Sequence, residues 1–141
     1  VGCAQLEKFP SFVERRRHNF DRLHKALEAV SDKLILPVPA QNSTPSWFGF
    51  LITCKEGTSI NTVVQYCEDH GVQTRMLFAG NITKQPVFDE MRKSGKGYRV
   101  IGDLSVTDSI MNNTFWIGVY PGMTDEMIDY MAKTIIEAVN L

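Results

Sequence analysis

Arg75 is the residue whose surroundings most suggest chemistry, because it lies within residues 72–78, a run that otherwise has the pattern of an apolar strand. An unpaired guanidinium is very costly to bury, so it must either find an acidic partner or face a bound molecule. The candidate acidic partners are Asp89, Glu90 and Asp103. The sequence gives the two alternatives equal weight.

Polar and aromatic residues near Arg75 extend this candidate site. The turn at residues 79–81 (Ala-Gly-Asn) follows the strand, and its small side chains allow close approach of a ligand or another backbone, with an ordinary turn as the alternative. Residues 112–114 (Asn-Asn-Thr) lie between a predicted helix and strand, where capping explains them as well as binding does. Four aromatic residues are predicted to be core residues by default, with binding as the alternative: Trp47, Phe48, Phe78 and Trp116.

The usual catalytic motifs do not occur in the sequence, which has no G-x-S-x-G nucleophile elbow, no phosphate-binding glycine loop and no H-E-x-x-H zinc motif. His18 and His24 are six residues apart, which is not same-face spacing for a metal pair, and with His70 they are predicted to be structural or solvated. The three cysteines are too widely spaced for a disulfide framework or a metal site, and are predicted to be buried reduced thiols: Cys3, Cys54 and Cys67. The residues alone therefore assign no metal site and no reaction.

The composition is that of one ordinary globular domain, with 141 residues, 43% of them hydrophobic and 22% charged. A net charge of -1 provides no positive field for a nucleic acid. The basic cluster at residues 15–18 shares a predicted helix with Glu7, Glu14, Asp21 and Glu28, which favours a salt-bridged, solvated face over a binding patch. No apolar run approaches the roughly 18 residues of a membrane span. We therefore expect a cytoplasmic protein without nucleic acid or membrane as partners.

The spacing of apolar residues predicts the helices. Residues 6–30 have the stripe of a long amphipathic helix, in which Pro10 marks a kink or the first turn of a new helix. Ser59 and Thr124 are predicted N-caps of two further helices, and residues 107–108 begin a short one. The predicted buried stripe of the last helix consists of Met127, Ile128, Met131, Ile135 and Val139.

Alternating or continuous apolar runs predict strands at residues 47–54, 72–78 and 115–119. Together the elements predict an α+β fold with a small, mostly antiparallel sheet and helices packed largely on one face. Residues 34–141 are predicted to form the compact domain, and residues 1–33 a long helical segment that leads into it.

Four segments, in the same order along the chain, resemble the small C-terminal domain of the sugar aminotransferases and dehydratases that depend on pyridoxal phosphate (PLP). They are VGCAQLEKFPSFVERRR, SWFGFLIT, TRMLFAGN and TDSIMNNTFWIGVYPGM. Within this family the chain resembles the branch of 3-dehydrases acting on CDP-4-keto-6-deoxyglucose, because the aminotransferases tend to carry a His at the position of Phe48 and Tyr-Pro-Leu-His near residues 78–81. Ser109 departs from the family pattern, which often has a basic residue there, and this weakens a substrate contact at that position.

The resemblance implies a fragment of a longer enzyme that holds pyridoxamine or pyridoxal phosphate and a 2Fe-2S cluster mainly on a large domain outside this chain. The catalytic His is expected upstream of Val1, and no catalytic or metal-binding residue is expected in this chain. The residues implied to face the substrate or cofactor are Phe48, Arg75, Phe78 and Asn81. The implied partners are a CDP-linked 4-keto-6-deoxy sugar, the large domain, a second subunit in a homodimer, and an iron–sulfur flavoprotein reductase.

Two alternatives remain open at this point. The first is the small domain of a PLP-dependent nucleotide-sugar aminotransferase, and the second is a free-standing α+β ligand-binding module. Under the preferred hypothesis the isolated chain is inactive, since one wall of a site does not preorganise a reacting centre.

Overall fold

The computed structural model describes residues 2–141 and contains six α-helices and four strands in that range. The helices are α1 (Gly2–Leu6), α2 (Phe9–Leu27), α3 (Ile60–Asp69), α4 (Asp89–Ser94), α5 (Ser105–Asn113) and α6 (Asp125–Ala138). The strands are β1 (Leu34–Ile35), β2 (Gly49–Cys54), β3 (Thr74–Met76) and β4 (Thr114–Gly118). Three short 3-10 turns complete the elements: Glu28–Val30, Ile82–Lys84 and Pro86–Phe88.

The four strands form one sheet in the order β1-β2-β4-β3, and all three pairings are antiparallel. Phe50 lies opposite Ile117 and Ile52 lies opposite Phe115. Because side chains alternate between the faces of a strand, these four project to one side of the sheet, where they are fully buried. There they join the buried residues of α2, α3 and α6 in a single core. The predicted α+β fold is confirmed.

The prediction that Pro10 marks the first turn of a new helix is confirmed. The chain forms α1 and α2 separately, and Pro10 lies in the first turn of α2, where the missing N–H has no cost. Leu6 and Phe9 of the predicted apolar stripe are exposed, whereas Phe20, Leu23 and Leu27 are buried. The stripe therefore contributes to the core from Phe20 to Val30, over the second half of α2 and the 3-10 turn that follows it.

Two predicted helix caps are confirmed. The Ser59 hydroxyl accepts a hydrogen bond from the Thr62 amide, and the Thr124 hydroxyl accepts one from the Met127 amide, both at 3.3 Å. In the predicted stripe of α6, Met127 is exposed while the other four residues are buried.

Helix α5 begins at Ser105, two residues before the predicted start at residues 107–108. The cause is Asp103, whose carboxylate accepts hydrogen bonds from the Ser105 amide at 2.9 Å and the Ser105 hydroxyl at 2.8 Å. The strand predicted at residues 72–78 is shorter than expected and is confined to Thr74–Met76.

The basic cluster on α2 finds its acidic partners on a different helix from the predicted one. Arg15 and His18 of the cluster contact Asp125 at 2.7 Å and 3.0 Å, and Arg22, one turn further along α2, contacts Asp129 at 2.7 Å. Helices α2 and α6 pack side by side, which brings these charges together across more than a hundred residues of sequence. His24 alone pairs with an acid of its own helical segment, Glu28, at 3.4 Å.

The cysteines divide into two groups. Cys54 and Cys67 are buried as predicted, and removal from water raises the pKa of each thiol to about 11. Cys3 is exposed, contrary to the prediction, because α1 has no buried residue. None of the helices found over residues 2–141 is both long and apolar enough to cross a bilayer.

Candidate functional site

The side of the sheet opposite the core is only partly covered, and we call it the open face. Leu51 of β2 lies opposite Trp116 of β4, which lies opposite Arg75 of β3, so their side chains leave the sheet in one row. Phe48 precedes β2, is 75% exposed and packs on Trp116 with ring centroids 5.4 Å apart. A Cβ at Gly49 would lie 2.5 Å from the Trp116 ring, so glycine is what lets the indole lie against the strand.

Arg75 is exposed and, among residues 2–141, forms no ion pair within 4.0 Å. The three candidate acids each have a partner close in sequence. Asp89 pairs with Arg92 and Glu90 pairs with Lys93, while Asp103 accepts the hydrogen bonds from Ser105. Of the two alternatives for Arg75, the ion pair is thus wrong, and the side chain is exposed on the open face.

Glu68 lies beside the start of β3 and is held by Thr74. Its carboxylate accepts hydrogen bonds from the Thr74 amide and hydroxyl, both at 2.6 Å. These bonds, with a smaller contribution from the charge of Arg75, lower the pKa of Glu68 below its ordinary value. Arg75 therefore acts on Glu68 only at long range, without pairing with it.

The segment after β3, residues 77–85, forms what we call the Phe78 loop. Phe78 has a left-handed backbone conformation with φ of 49° and is 85% exposed. Such a conformation is unusual for a bulky residue and is typical of functional sites or tight turns. Gly80 is also left-handed, and a Cβ there would overlap the Met111 side chain of α5. Loop and helix thus enclose an open cleft of about 400 Å³, lined by Leu77, Phe78, Ala79, Gly80, Ile82, Thr107 and Ile110.

Asn81 lies inside the Phe78 loop, not on the open face, and is only 3% exposed. Its Nδ2 donates to Asp108 at 2.8 Å, and its Oδ1 accepts from the Thr83 amide at 3.1 Å and the Thr83 hydroxyl at 2.7 Å. The side chain is therefore occupied in shaping the loop. The direct ligand contact expected from the sequence stays a prediction.

Asp108 and Lys84 are the partners that the sequence reasoning missed. The Lys84 ammonium lies 2.8 Å from the Asp108 carboxylate, and this bond, with the one from Asn81, lowers the pKa of Asp108. The sequence marked residues 107–108 only as a helix start. The Thr-Asp pair was a usable signal, but its partners are 24 and 27 residues away and no local pattern relates them.

The remaining polar candidates are used within the protein. Asn113 donates to the Ser109 carbonyl at 2.9 Å, and the Thr114 and Thr53 hydroxyls are 2.8 Å apart. The histidines have structural partners, as predicted, in Asp125, Glu28 and the Tyr66 carbonyl. Over residues 2–141, no cluster of three or more His, Cys, Asp or Glu side chains is placed to hold a metal ion.

Three clefts of greater volume lie elsewhere. One of about 540 Å³ lies between the residues before β3 and α6, and its lining includes Met123, Met127, Tyr130 and Met131. One of about 580 Å³ lies between α2 and the Tyr120–Gly122 turn, and one of about 540 Å³ lies along α3 beside Leu141.

None of these three clefts contains a residue of the predicted site. We place the candidate site at the open face and the Phe78 loop because Phe48 and Arg75 are exposed on that face and the exposed Phe78 follows β3 by two residues. The volume of a cleft alone identifies no chemistry.

The sequence pattern of the DegT/DnrJ/EryC1/StrS aminotransferase family matches residues 1–136. The chain is 46% identical over 138 residues to the lipopolysaccharide biosynthesis protein RfbH of Salmonella typhimurium, covering 96% of this chain and 30% of RfbH. It is 42% identical over 141 residues to dTDP-4-dehydro-2,6-dideoxy-D-glucose 3-dehydratase of Saccharopolyspora spinosa, covering 99% of this chain and 29% of that protein. The chain thus spans about three tenths of these relatives.

Solved structures agree on the fold. GDP-4-keto-6-deoxy-D-mannose-3-dehydratase of E. coli, with bound hydrated PLP, superposes with a TM-score of 0.79 at 22% identity, over 95% of this chain and 33% of the other. The aminotransferase TlmJ of Streptoalloteichus hindustanus superposes with a TM-score of 0.81 at 20% identity, over 99% of this chain and 35% of the other. At these identities the likeness establishes the architecture and not the reaction.

Proposed function

Because this chain belongs to the DegT/DnrJ/EryC1/StrS aminotransferase family, we propose that it is part of a longer dehydratase that removes the 3-hydroxyl of a nucleotide-linked 4-keto-6-deoxy sugar. The observation that carries the reaction type is the 42% identity, over 141 residues, to a protein named as a sugar-nucleotide 3-dehydratase. Two further relatives, at 28% and 24% identity, are named GDP-4-keto-6-deoxy-D-mannose 3-dehydratases.

The role of this chain in that enzyme is to provide one wall of the sugar-nucleotide site. Phe48 and Arg75 present an exposed ring and an unpaired cation on the open face, and Phe78 presents a second ring beside it. An arginine suits the phosphate oxygens of a nucleotide sugar, and aromatic faces suit a base or sugar ring. The buried Nε1 of Trp116 also has no hydrogen-bond partner among the described residues. Unpaired donors on one face support a site completed by other groups.

The cofactor of the whole enzyme is proposed to be pyridoxamine or pyridoxal phosphate. When bound, it supplies an amine for the 4-keto carbon and a ring that accepts electrons, which makes loss of the 3-hydroxyl possible. The open face has one unpaired guanidinium, and the Phe78 loop beside α5 has an open cleft with no enclosing pocket. This fits a wall that orients the substrate and excludes water, and does not fit a cofactor-anchoring site. We therefore assign no catalytic residue to this chain.

The nucleotide is proposed to be CDP, from the resemblance of the sequence to that branch. The relatives carry dTDP and GDP in their names, so the base is the part of the substrate that differs among them. Turnover of the CDP, dTDP and GDP forms of one 4-keto-6-deoxy sugar by the full-length enzyme tests this choice. The highest kcat/KM is expected for the CDP form.

Further parts of the proposal rest on the same resemblance. They are a large domain that meets residues 1–33 and carries the catalytic His and a 2Fe-2S cluster, a homodimeric assembly, an iron–sulfur flavoprotein reductase as partner, and a place in the cytoplasm. The aminotransferase alternative is not favoured, because three of the four curated relatives are named as 3-dehydratases.

The variant Arg75→Met in the full-length polypeptide tests directly whether this face contacts the substrate. Removing a charge-assisted contact with the substrate is expected to lower kcat/KM about tenfold or more while the protein stays folded. The matched control is Arg99→Met, because Arg99 is also exposed but lies between α4 and α5, outside the strands of the sheet. Equal activity of the two variants would remove Arg75 from the site.

A further inference from the structure

We propose that Asp108 is a positioning residue whose carboxylate, held on α5, fixes the conformation of the Phe78 loop. Its two oxygens bind two different points of the loop. Oδ1 accepts from Asn81 Nδ2 at 2.8 Å, and Oδ2 lies 2.8 Å from the Lys84 ammonium. One carboxylate therefore ties both ends of the segment 81–84 to a helix that is distant in sequence.

The loop has no apolar core of its own, because Asn81 is the only buried residue between residues 77 and 110. Its other ties are also polar: Arg92 donates to the Thr83 and Gln85 carbonyls, and Gln85 Nε2 donates to the Ala79 carbonyl at 2.7 Å. Asp108 differs from these partners because it lies on α5 and not in or beside the loop in sequence.

Two residues of the loop, Phe78 and Gly80, nevertheless have a left-handed backbone conformation. A phenylalanine keeps this conformation only where its surroundings impose it. The imposed conformation needs fixed contacts, and the Asp108 carboxylate supplies two of them from a helix outside the loop.

The contacts form a continuous path from Asp108 to Phe78. Asn81, anchored by Asp108, accepts from the Thr83 amide and hydroxyl, and its own amide donates to the Met111 sulfur at 3.2 Å. Met111 in turn fills the space beside Gly80 that a Cβ would occupy. Gly80 is two residues from Phe78. Fixing Asn81 and Gly80 thus leaves Phe78 with few backbone alternatives.

An alternative role for Asp108 is an interaction with the helix end, since it lies in the first turn of α5. The two roles predict different effects for Lys84, which is outside the helix. If Asp108 acts only on α5, removing the Lys84 charge changes nothing in the loop. If Asp108 holds the loop, removing Lys84 loosens it and leaves α5 unchanged.

Amide hydrogen exchange of the 141-residue chain, followed by NMR, separates these roles. In Asp108→Ala, the Thr83 and Lys84 amides are expected to lose protection about tenfold or more, because a hydrogen bond to a charged group is lost. Asp108→Asn keeps an acceptor for Asn81 and should restore part of that protection. Lys84→Met should loosen the same amides by a smaller factor, and Ser109→Ala, at an exposed neighbour, should have no effect.

The pH dependence gives a second readout. Lys84 from the loop is the charged group that lowers the pKa of Asp108, and the like charge of Asp108 in turn acts on Asp103 in the segment before α5. Because the folded pKa of Asp108 is lowered, the loop should stay protected above the ordinary aspartate pKa and loosen as pH falls through the lowered value. Asp108→Asn should remove this dependence. The proposal would be overturned if Asp108→Ala lowered amide protection equally in α5 and in the loop while Lys84→Met left the protection of the loop amides unchanged.

The positioning of the loop requires no substrate or cofactor, so this experiment is independent of the reaction. Its importance for turnover rests on the proposed function, because Phe78 matters only if it faces the substrate. A dehydratase assay that fails would leave the hydrogen-exchange result standing, and the reverse also holds.

Discussion

The core side of the sheet and the segment 77–110 contain the same kinds of apolar residue, but these side chains are buried in the first region and exposed in the second. Phe50, Ile52, Phe115 and Ile117 are completely removed from water. In the segment 77–110, Phe78, Val87, Ile101 and Val106 are all at least 70% exposed, and Asn81 alone is buried. The core side is therefore stabilised by apolar burial, whereas the segment depends on hydrogen bonds, ion pairs and left-handed turns.

The largest expected effect is a difference in unfolding free energy between alanine variants of two phenylalanines, Phe48 and Phe50, which are two residues apart. Phe50→Ala removes a ring from a packed core and should lower the free energy of unfolding by about 3–5 kcal/mol. Phe48→Ala removes an exposed ring and should change it by about 0.5 kcal/mol or less. Urea unfolding followed by circular dichroism measures both. Similar losses for the two variants would mean that the open face is packed like the core.

A smaller effect is expected for glycines in the segment. Gly80→Ala combines a left-handed backbone with overlap on Met111, and should cost about 1–3 kcal/mol. The control is Gly102→Ala, which has φ of 76° but open space around the position, and should cost about 1 kcal/mol from strain alone. If Gly102→Ala is the more damaging of the two, the packing of Met111 on Gly80 is not a constraint.

The same contrast between local and distant contacts explains which features of the fold and the site are predictable from the sequence. The helix caps at Ser59 and Thr124 and the strand β2 were predictable because each depends on residues within one or two turns of chain. The Asp108–Asn81 contact and the Arg15–Asp125 pair were not, since they join residues 27 and 110 positions apart. Periodicity also does not reveal that an apolar side chain such as Ile101 stays in water.

The ion pairs between α2 and α6 should give a pH-dependent effect smaller than core truncation. Hydrogen bonds from Arg15 and His18 lower the pKa of Asp125, so its stabilising contribution is present above the ordinary aspartate pKa and is lost as pH falls through the lowered value. In Asp125→Asn the melting temperature should be lower at pH 7, and the decrease between pH 7 and pH 3 should be smaller than in the unmodified chain. Parallel curves for the two proteins would contradict this assignment.

No effect at all is expected when the isolated chain is mixed with PLP. The open face is one wall without an enclosing pocket, so the 141-residue chain should neither bind the cofactor tightly nor catalyse. Absorbance spectroscopy after desalting should show no retained cofactor band. A stable band that disappears in Arg75→Met would instead place a cofactor-binding site on this chain.

The most direct test is the identity of the product that the full-length enzyme makes from pyridoxamine phosphate and a CDP-4-keto-6-deoxy sugar, with the proposed iron–sulfur flavoprotein reductase and a reduced nicotinamide as the electron source. Mass spectrometry and carbon NMR of the sugar distinguish the possible outcomes. We expect a sugar from which the 3-hydroxyl has left as water and in which, after a two-electron reduction, hydrogen takes its place at C3. A product with an amine at C4 and the 3-hydroxyl retained would contradict this expectation and identify an aminotransferase.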